Sequence, residues 1–273
     1  MILSEEESKR YLAELFDLFA RHLVATVLRV SHIDSKHPAG RVIFPGFLLV
    51  CKGRWFYVTA GHNLARALDE GLRVENAAFV DTFGPEAVSQ YPVPFPFGDL
   101  PKYHVDIESK IGLDLGLIEF TPYYQPNLLP LFERNKVIPL EEEHWTGQDL
   151  SVFESFYVLG FPDNLHGSSF VYGPKAVLKP TLIPLEWIAD PDEGITQGRK
   201  GLFCARYSEK LEVSIEGASG GPIFGLKRRP DLQYQIVAMQ FSQRRDKRIA
   251  IGCAMPLIGY VLSRWIEKAE EGL

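Results

Sequence analysis

The rhythm of apolar and polar positions changes several times along this chain. Leu12, Leu15, Phe16, Phe19 and Leu23 recur at helical spacing, which lays one apolar stripe along a helix. Ser4 followed by Glu7 fits a capping box, in which each side chain satisfies an orphan backbone N–H of the other. A helix is therefore expected to close the segment 1–23. Beyond it the apolar residues come in short runs bounded by turns, which predicts strands at Val24–Val30, Val42–Val50, Arg54–Thr59, Val74–Asp81 and Leu115–Phe120. From Pro122 to Gln148 neither period holds. Pro122, Pro126, Pro130, Pro139 and an acidic run mark a linker over 122–149. Strands resume near Ser155–Phe161, Lys175–Lys179, Leu202–Tyr207, Pro222–Gly225, Gln235–Phe241 and Ile249–Ala254. Pro256 then opens a helix with Leu257, Ile258, Val261, Leu262, Trp265 and Ile266 as its stripe. The pattern gives two β units, 24–121 and 150–256, bracketed by helices over 1–23 and 257–273.

Composition narrows the partners. The 273 residues are 46% hydrophobic, enough for a large core. A formal charge of −6 argues against nucleic acid, whose phosphates demand clustered positive charge. No apolar run approaches the ~18 residues of a spanning helix, so no membrane partner is expected. The first residues, MILSEEESKR, are acidic where a secretory signal is basic. Cys51, Cys204 and Cys253 are odd in number and widely spaced, which gives neither a disulfide framework nor a metal-ligand pairing. Three buried thiols in a reducing compartment, the cytoplasm, is the expectation.

Three segments carry chemistry. In Gly217-Ala218-Ser219-Gly220-Gly221-Pro222, glycines around a serine allow a tight turn that presents the hydroxyl. The Gly217 and Ser219 N–H groups are then candidates for an oxyanion hole. In Trp55-Phe56-Tyr57-Val58-Thr59-Ala60-Gly61-His62, a β run ends in small residues that leave an imidazole room to turn. In Asp114-Leu115-Gly116-Leu117-Ile118, an acid opens an apolar strand, where a carboxylate is costly unless paired. Each alone also fits an ordinary turn or strand edge. Chain order discriminates among the serine hydrolase plans. No histidine follows His166, so the Ser–acid–His order fails. The Asp–His–Ser order would need Asp34, which lies in a polar loop without a motif. The order His62, Asp114, Ser219 remains, with Asp106 as a reserve acid.

These segments resemble the three signature stretches of the trypsin-like serine protease family. Val158-Leu159-Gly160-Phe161-Pro162 is similar to the "GYP" turn of its bacterial HtrA/Deg-like members, and Ile251-Gly252-Cys253-Ala254-Met255-Pro256 to their closing "IGFAIP" strand. The resemblance covers the chain from about residue 24 onward. It implies an all-β, chymotrypsin-like fold of two six-stranded antiparallel barrels, and a serine endopeptidase with His62, Asp114 and Ser219 as triad. The substrate would be a protein or peptide. The sequence departs from the family at Asn63, where digestive members carry a disulfide cysteine, and at Ala218, where they carry the activating aspartate. No PDZ-like module is expected after the barrel.

The family places its pocket floor at Val213 and Ser214 and its wall along Gln240, Phe241 and Ser242. Val213 offers no carboxylate, so basic P1 residues are not expected to be favoured. The basic stretch Arg244-Arg245-Asp246-Lys247-Arg248 is expected at a solvated hairpin tip just past that wall. No metal or other cofactor is implied, since HExxH, CxxC and a phosphate-cradling loop are all absent, and Glu141–Glu143 beside His144 reads as a solvated face. An intact cytosolic protease calls for a narrow substrate or an activating partner. The alternative is a catalytically silent trypsin-like domain that binds peptides or serves as a scaffold.

Overall fold

The computed structural model describes residues 5–29, 41–69, 77–80, 88–89, 93–95, 103–108, 113–120, 125–126, 138–145, 149–162, 171–172, 175–177, 180–196, 200–208, 215–227 and 232–271. Ser4, Asp34, His166, Val213 and Ser214 lie outside them.

Helix α1 (Glu5–Ala20) stops short of the expected end. The His22 N–H turns back to the Phe19 carbonyl at 3.0 Å, and Leu23 already opens strand β1 (Leu23–Arg29), opposite Phe47. Leu23 keeps the helical spacing of its side chain, but its backbone is claimed by the sheet. Strands β2 (Arg41–Cys51) and β3 (Arg54–Thr59) form the next hairpin, and helix α2 (Gly61–Asp69) follows directly. Next come β4 (Ala77–Val80), β5 (Val88–Ser89), β6 (Val93–Phe95), β7 (Tyr103–Glu108) and β8 (Leu113–Phe120). Seven of these strands make one antiparallel sheet in the order β6-β4-β1-β2-β3-β8-β7.

The second half contributes β9 (Ser155–Gly160), β10 (Val171–Tyr172), β11 (Lys175–Val177) and β12 (Thr181–Trp187). A short helix α3 (Glu193–Thr196) precedes β13 (Leu202–Tyr207), β14 (Pro222–Lys227), β15 (Gln233–Arg244) and β16 (Ile249–Ala254). Six of them close a barrel in the order β12-β13-β16-β15-β14-β9, while β10, β11 and β5 form a small separate sheet. The expectation of two six-stranded barrels is thus corrected in part. One six-stranded barrel closes; the first half is a seven-stranded sheet whose outer strands β6 and β7 do not meet among the described residues.

Four strands contain a proline, and each places it where only one neighbour is paired, as Pro45 and Pro184 illustrate. Pro45 faces Ala25 of β1, whereas β3 joins β2 only from Phe47 onward. Pro184 faces Tyr157 of β9, whereas β13 joins β12 only from Leu185. The missing N–H therefore removes no bond on the unpaired side. β12 and β7 were not expected from the sequence, β12 because its proline disguises the strand.

The terminal helices cross over. α1 lies against the closed barrel, with Phe19 stacked on Phe224 at 4.3 Å between ring centroids and set edge-on to Tyr234. Helix α4 (Met255–Glu270), with Pro256 in its first turn, buries Ile258, Leu262 and Ile266 in the common core. Its Trp265 Nε1–H donates to the buried Glu119 of β8 at 3.2 Å, and Arg54 Nε–H donates to the same carboxylate at 2.8 Å. The described part of the expected linker is docked. Leu140 exchanges hydrogen bonds with Leu48 and Val50 of β2, and Trp145 is buried over Gly259. No described helix is long and apolar enough to cross a membrane.

Candidate active site

Gly61-His62-Asn63 leaves β3 and enters α2, so His62 stands in the first turn of a helix rather than in a loop. Leu64 holds that helix down on β8. A Cβ added at Gly116 would lie 2.7 Å from Leu64 Cδ1, so only glycine admits this approach. The first N–H groups of a helix have no partner within it. Here the carboxylate of Asp114 supplies one from across the sheet: Oδ1 accepts from the His62 backbone N–H at 2.8 Å, and Oδ2 lies 2.6 Å from His62 Nδ1. Both oxygens are engaged, which fixes the carboxylate plane and orients the ring. Asp114 is 9% exposed, while the His62 side chain remains 44% exposed. Asp106, the reserve acid, pairs with Leu115, one register step from Ile107–Asp114.

Ser219 comes from the turn that leads into β14. Gly217 and Gly220 adopt φ of +86° and +98°, a region closed to most side chains. A side chain at Gly220 would also collide with the Pro45 carbonyl and Thr59 Oγ1 of the other half. Three amides of the turn are used: Ala218 N–H donates to Ile215, Gly220 to Gln240 and Gly221 to Ala218. Those of Gly217 and Ser219 have no hydrogen bond among the described residues. Ala218 is fully buried against Gly160, where an added Cβ would lie 2.7 Å away. The site is therefore shaped for a small residue at position 218.

Ser219 Oγ donates to the Phe241 carbonyl at 3.4 Å and has no hydrogen bond to His62 among the described residues. Phe241 is available because of a register shift in β15: Gln240 faces Gly252 and Ser242 faces Ile251, which leaves Phe241 unopposed. Such bulges redirect a strand beside a functional residue. Among the expected pocket residues, Gln240 and Phe241 are buried and Ser242 is half-buried. Val213 and Ser214 lie outside the described residues.

The basic stretch Arg244–Arg248 forms a 3₁₀ turn after β15. Its cations have acidic or aromatic partners: Arg245 with Glu216, Lys247 with Asp192 at 3.7 Å, Arg244 with Asp246 at 3.8 Å, and Arg248 over the Tyr207 ring. Glu141, Glu142 and Glu143 are exposed. No group of three or more His, Cys, Asp or Glu is placed to hold a metal among the described residues. All three cysteines are buried, and none is in a disulfide.

Sequence reasoning passed over the tie from Asn63, and it took Phe241 as a pocket-wall residue without its contact to Ser219. Asn63 was noted only as the residue replacing a cysteine, although its place directly after His62 was a signal. Phe241 acts through its backbone carbonyl, which no side-chain motif marks.

No family model matches this chain, and no curated protein matches it. Among solved structures it is similar to the crystal structure of Rv3671c from M. tuberculosis H37Rv, a serine-to-alanine mutant in its inactive form. The two share 14% sequence identity over 92% of this chain and 89% of that chain, with a TM-score of 0.45.

Proposed function

We propose that this chain is a serine endopeptidase of chymotrypsin-like plan, acting on protein or peptide substrates without a metal or other cofactor. The observation that carries the reading is Asp114. It is a mostly buried acid whose two oxygens hold the backbone and the ring of one histidine, and the adjoining Asn63 bonds to a serine on a glycine turn, two of whose amides have no hydrogen bond among the described residues.

In this reading Ser219 Oγ attacks the scissile carbonyl carbon while its proton passes to His62 Nε2. The carbonyl oxygen becomes an oxyanion and takes hydrogen bonds from the Gly217 and Ser219 N–H groups. Collapse breaks the C–N bond, and the leaving amine takes the proton from His62. Water then attacks the acyl-enzyme with His62 again as base, which releases the acid and restores Ser219. Asp114 stabilises the imidazolium in both halves of the cycle. Three buried thiols outside any disulfide fit a reducing compartment such as the cytoplasm.

One observation favours a second reading. Ser219 Oγ bonds to Phe241 rather than to His62, as expected of a resting site that awaits an activating partner, or of a silent peptide-binding module. Treating purified protein with a fluorophosphonate and reading intact mass separates the outcomes. The expected result is one adduct on wild type and none on Ser219→Ala. Folded wild type that takes no adduct refutes a site competent at rest and favours the second reading, and an adduct that persists in Ser219→Ala moves the nucleophile elsewhere.

A further inference from the structure

We infer that Asn63 is a positioning residue that sets the distance between Ser219 and His62 by holding the serine's own carbonyl. The inference rests on the hydrolase reading above. Asn63 Nδ2 donates to the Ser219 carbonyl at 2.7 Å and to Thr59 Oγ1 at 3.2 Å. Thr59 Oγ1–H in turn donates to the Pro45 carbonyl at 2.8 Å. The direction of this chain is fixed by chemistry. The threonine proton is committed to Pro45, so its oxygen can only accept from Asn63, and the Ser219 carbonyl can do nothing but accept. Both amide protons of Asn63 are therefore used, and the amide cannot be flipped without setting its oxygen against two acceptors.

The location gives the contact its consequence. Asn63 adjoins His62 in the first turn of α2, and that turn is already anchored by Asp114. The partner carbonyl belongs to Ser219, 156 residues away, on the other half of the molecule. The next amide, Gly220 N–H, is held by the Gln240 carbonyl at 2.7 Å. The Ser219–Gly220 peptide is thus clamped at its oxygen from the helix that carries the base and at its nitrogen from the barrel that carries the pocket wall. Releasing the oxygen clamp frees that peptide to rotate. Rotation moves both Oγ and the Ser219 N–H, while the His62–Asp114 pair stays as it is.

Two variants test this. Asn63→Ala removes the donor, and Asn63→Leu removes it while conserving volume, so a packing loss in the first is separated from the loss of the tether. For each, the rate constant of fluorophosphonate labelling of Ser219 is measured. Thermal midpoints and the downfield NMR proton of the His62 Nδ1–Asp114 hydrogen bond are recorded alongside. Misplacement of reacting groups by about 1 Å slows reaction on the order of 10²-fold. Both variants are expected to label slower by about that factor while remaining folded and keeping the downfield proton. Labelling of either folded variant at the wild-type rate overturns the inference, as does loss of the downfield proton together with activity. Wild type that takes no label overturns the site competent at rest and this inference with it, an outcome distinct from equal labelling of wild type and variants.

Discussion

At the scale of single residues, the division of labour between the two oxygens of Asp114 makes a sharp prediction. In Asp114→Asn, the amide oxygen can still accept the His62 backbone N–H, because that bond needs only an acceptor. The Nδ2 group then faces His62 Nδ1 and forces it to accept, which moves the ring proton to Nε2. The imidazole would be held in place in the wrong tautomer, with no lone pair turned toward Ser219. The expected loss is on the order of 10⁴ in kcat, with little change in thermal midpoint. A loss below about tenfold, in hydrolysis or labelling rate, would show that another acid serves. His62, Asp114 and Ser219 were legible as candidates because each stands in a motif whose small or apolar neighbours make a polar side chain conspicuous. The contacts of Asn63 and Phe241 were not, because their partners are a distant backbone carbonyl and a distant hydroxyl that no local pattern announces. The buried thiols were also legible, and burial pushes Cys51 and Cys204 up to about 11. That keeps them protonated and unreactive near neutrality.

At the scale of elements, the strands that were legible are those whose apolar residues form an uninterrupted run, such as β3, β9 and β16. Among the strands that were not expected, the two long ones, β12 and β7, were missed for different reasons. β12 carries Pro184, and whether a proline breaks a strand depends on which neighbours are paired beside it, a fact fixed only by the assembled barrel. β7 is an outer strand of its sheet, and its polar residues His104 and Asp106 drew attention as chemistry instead of as an edge. α1 was legible from its stripe, but not its destination, which is the far barrel. Phe19 is the anchor there: fully buried, stacked on Phe224 and edge-on to Tyr234. Truncating a buried phenylalanine removes transfer free energy and leaves a cavity. Phe19→Ala should therefore lower unfolding free energy by about 3–5 kcal/mol in urea titrations. A change under about 1 kcal/mol would mean that α1 detaches without consequence.

At the scale of the whole molecule, the parts are joined by a histidine outside the active site. His22, 2% exposed in the turn between α1 and β1, donates Nδ1–H to the Ile138 carbonyl at 2.8 Å. Its Nε2 must then accept from Tyr234 O–H at 2.7 Å, so one neutral ring ties the helix turn, the 138 segment and the closed barrel together. Burial is the main cause that lowers its pKa from 6.5 to about 4; the Ile138 bond opposes the shift, and nearby His144 and Arg21 reinforce it. The sign follows from proton uptake. Between pH 6.5 and about 4 the unfolded chain binds a proton at this position and the folded chain does not. The contribution to stability is therefore complete above pH 6.5 and is lost as pH falls toward 4. A shift of this size corresponds to an effect on the order of 3 kcal/mol across the window. Other groups titrate in the same range, so the measurement is a comparison. Urea unfolding of wild type and His22→Gln, followed from pH 7.5 to 4.5, should show the wild type losing stability more steeply. The glutamine retains a donor for Ile138 but has no proton to gain. Parallel profiles would mean that the unfolded chain gains no extra proton at His22, and acid sensitivity would then have to arise from the carboxylates alone.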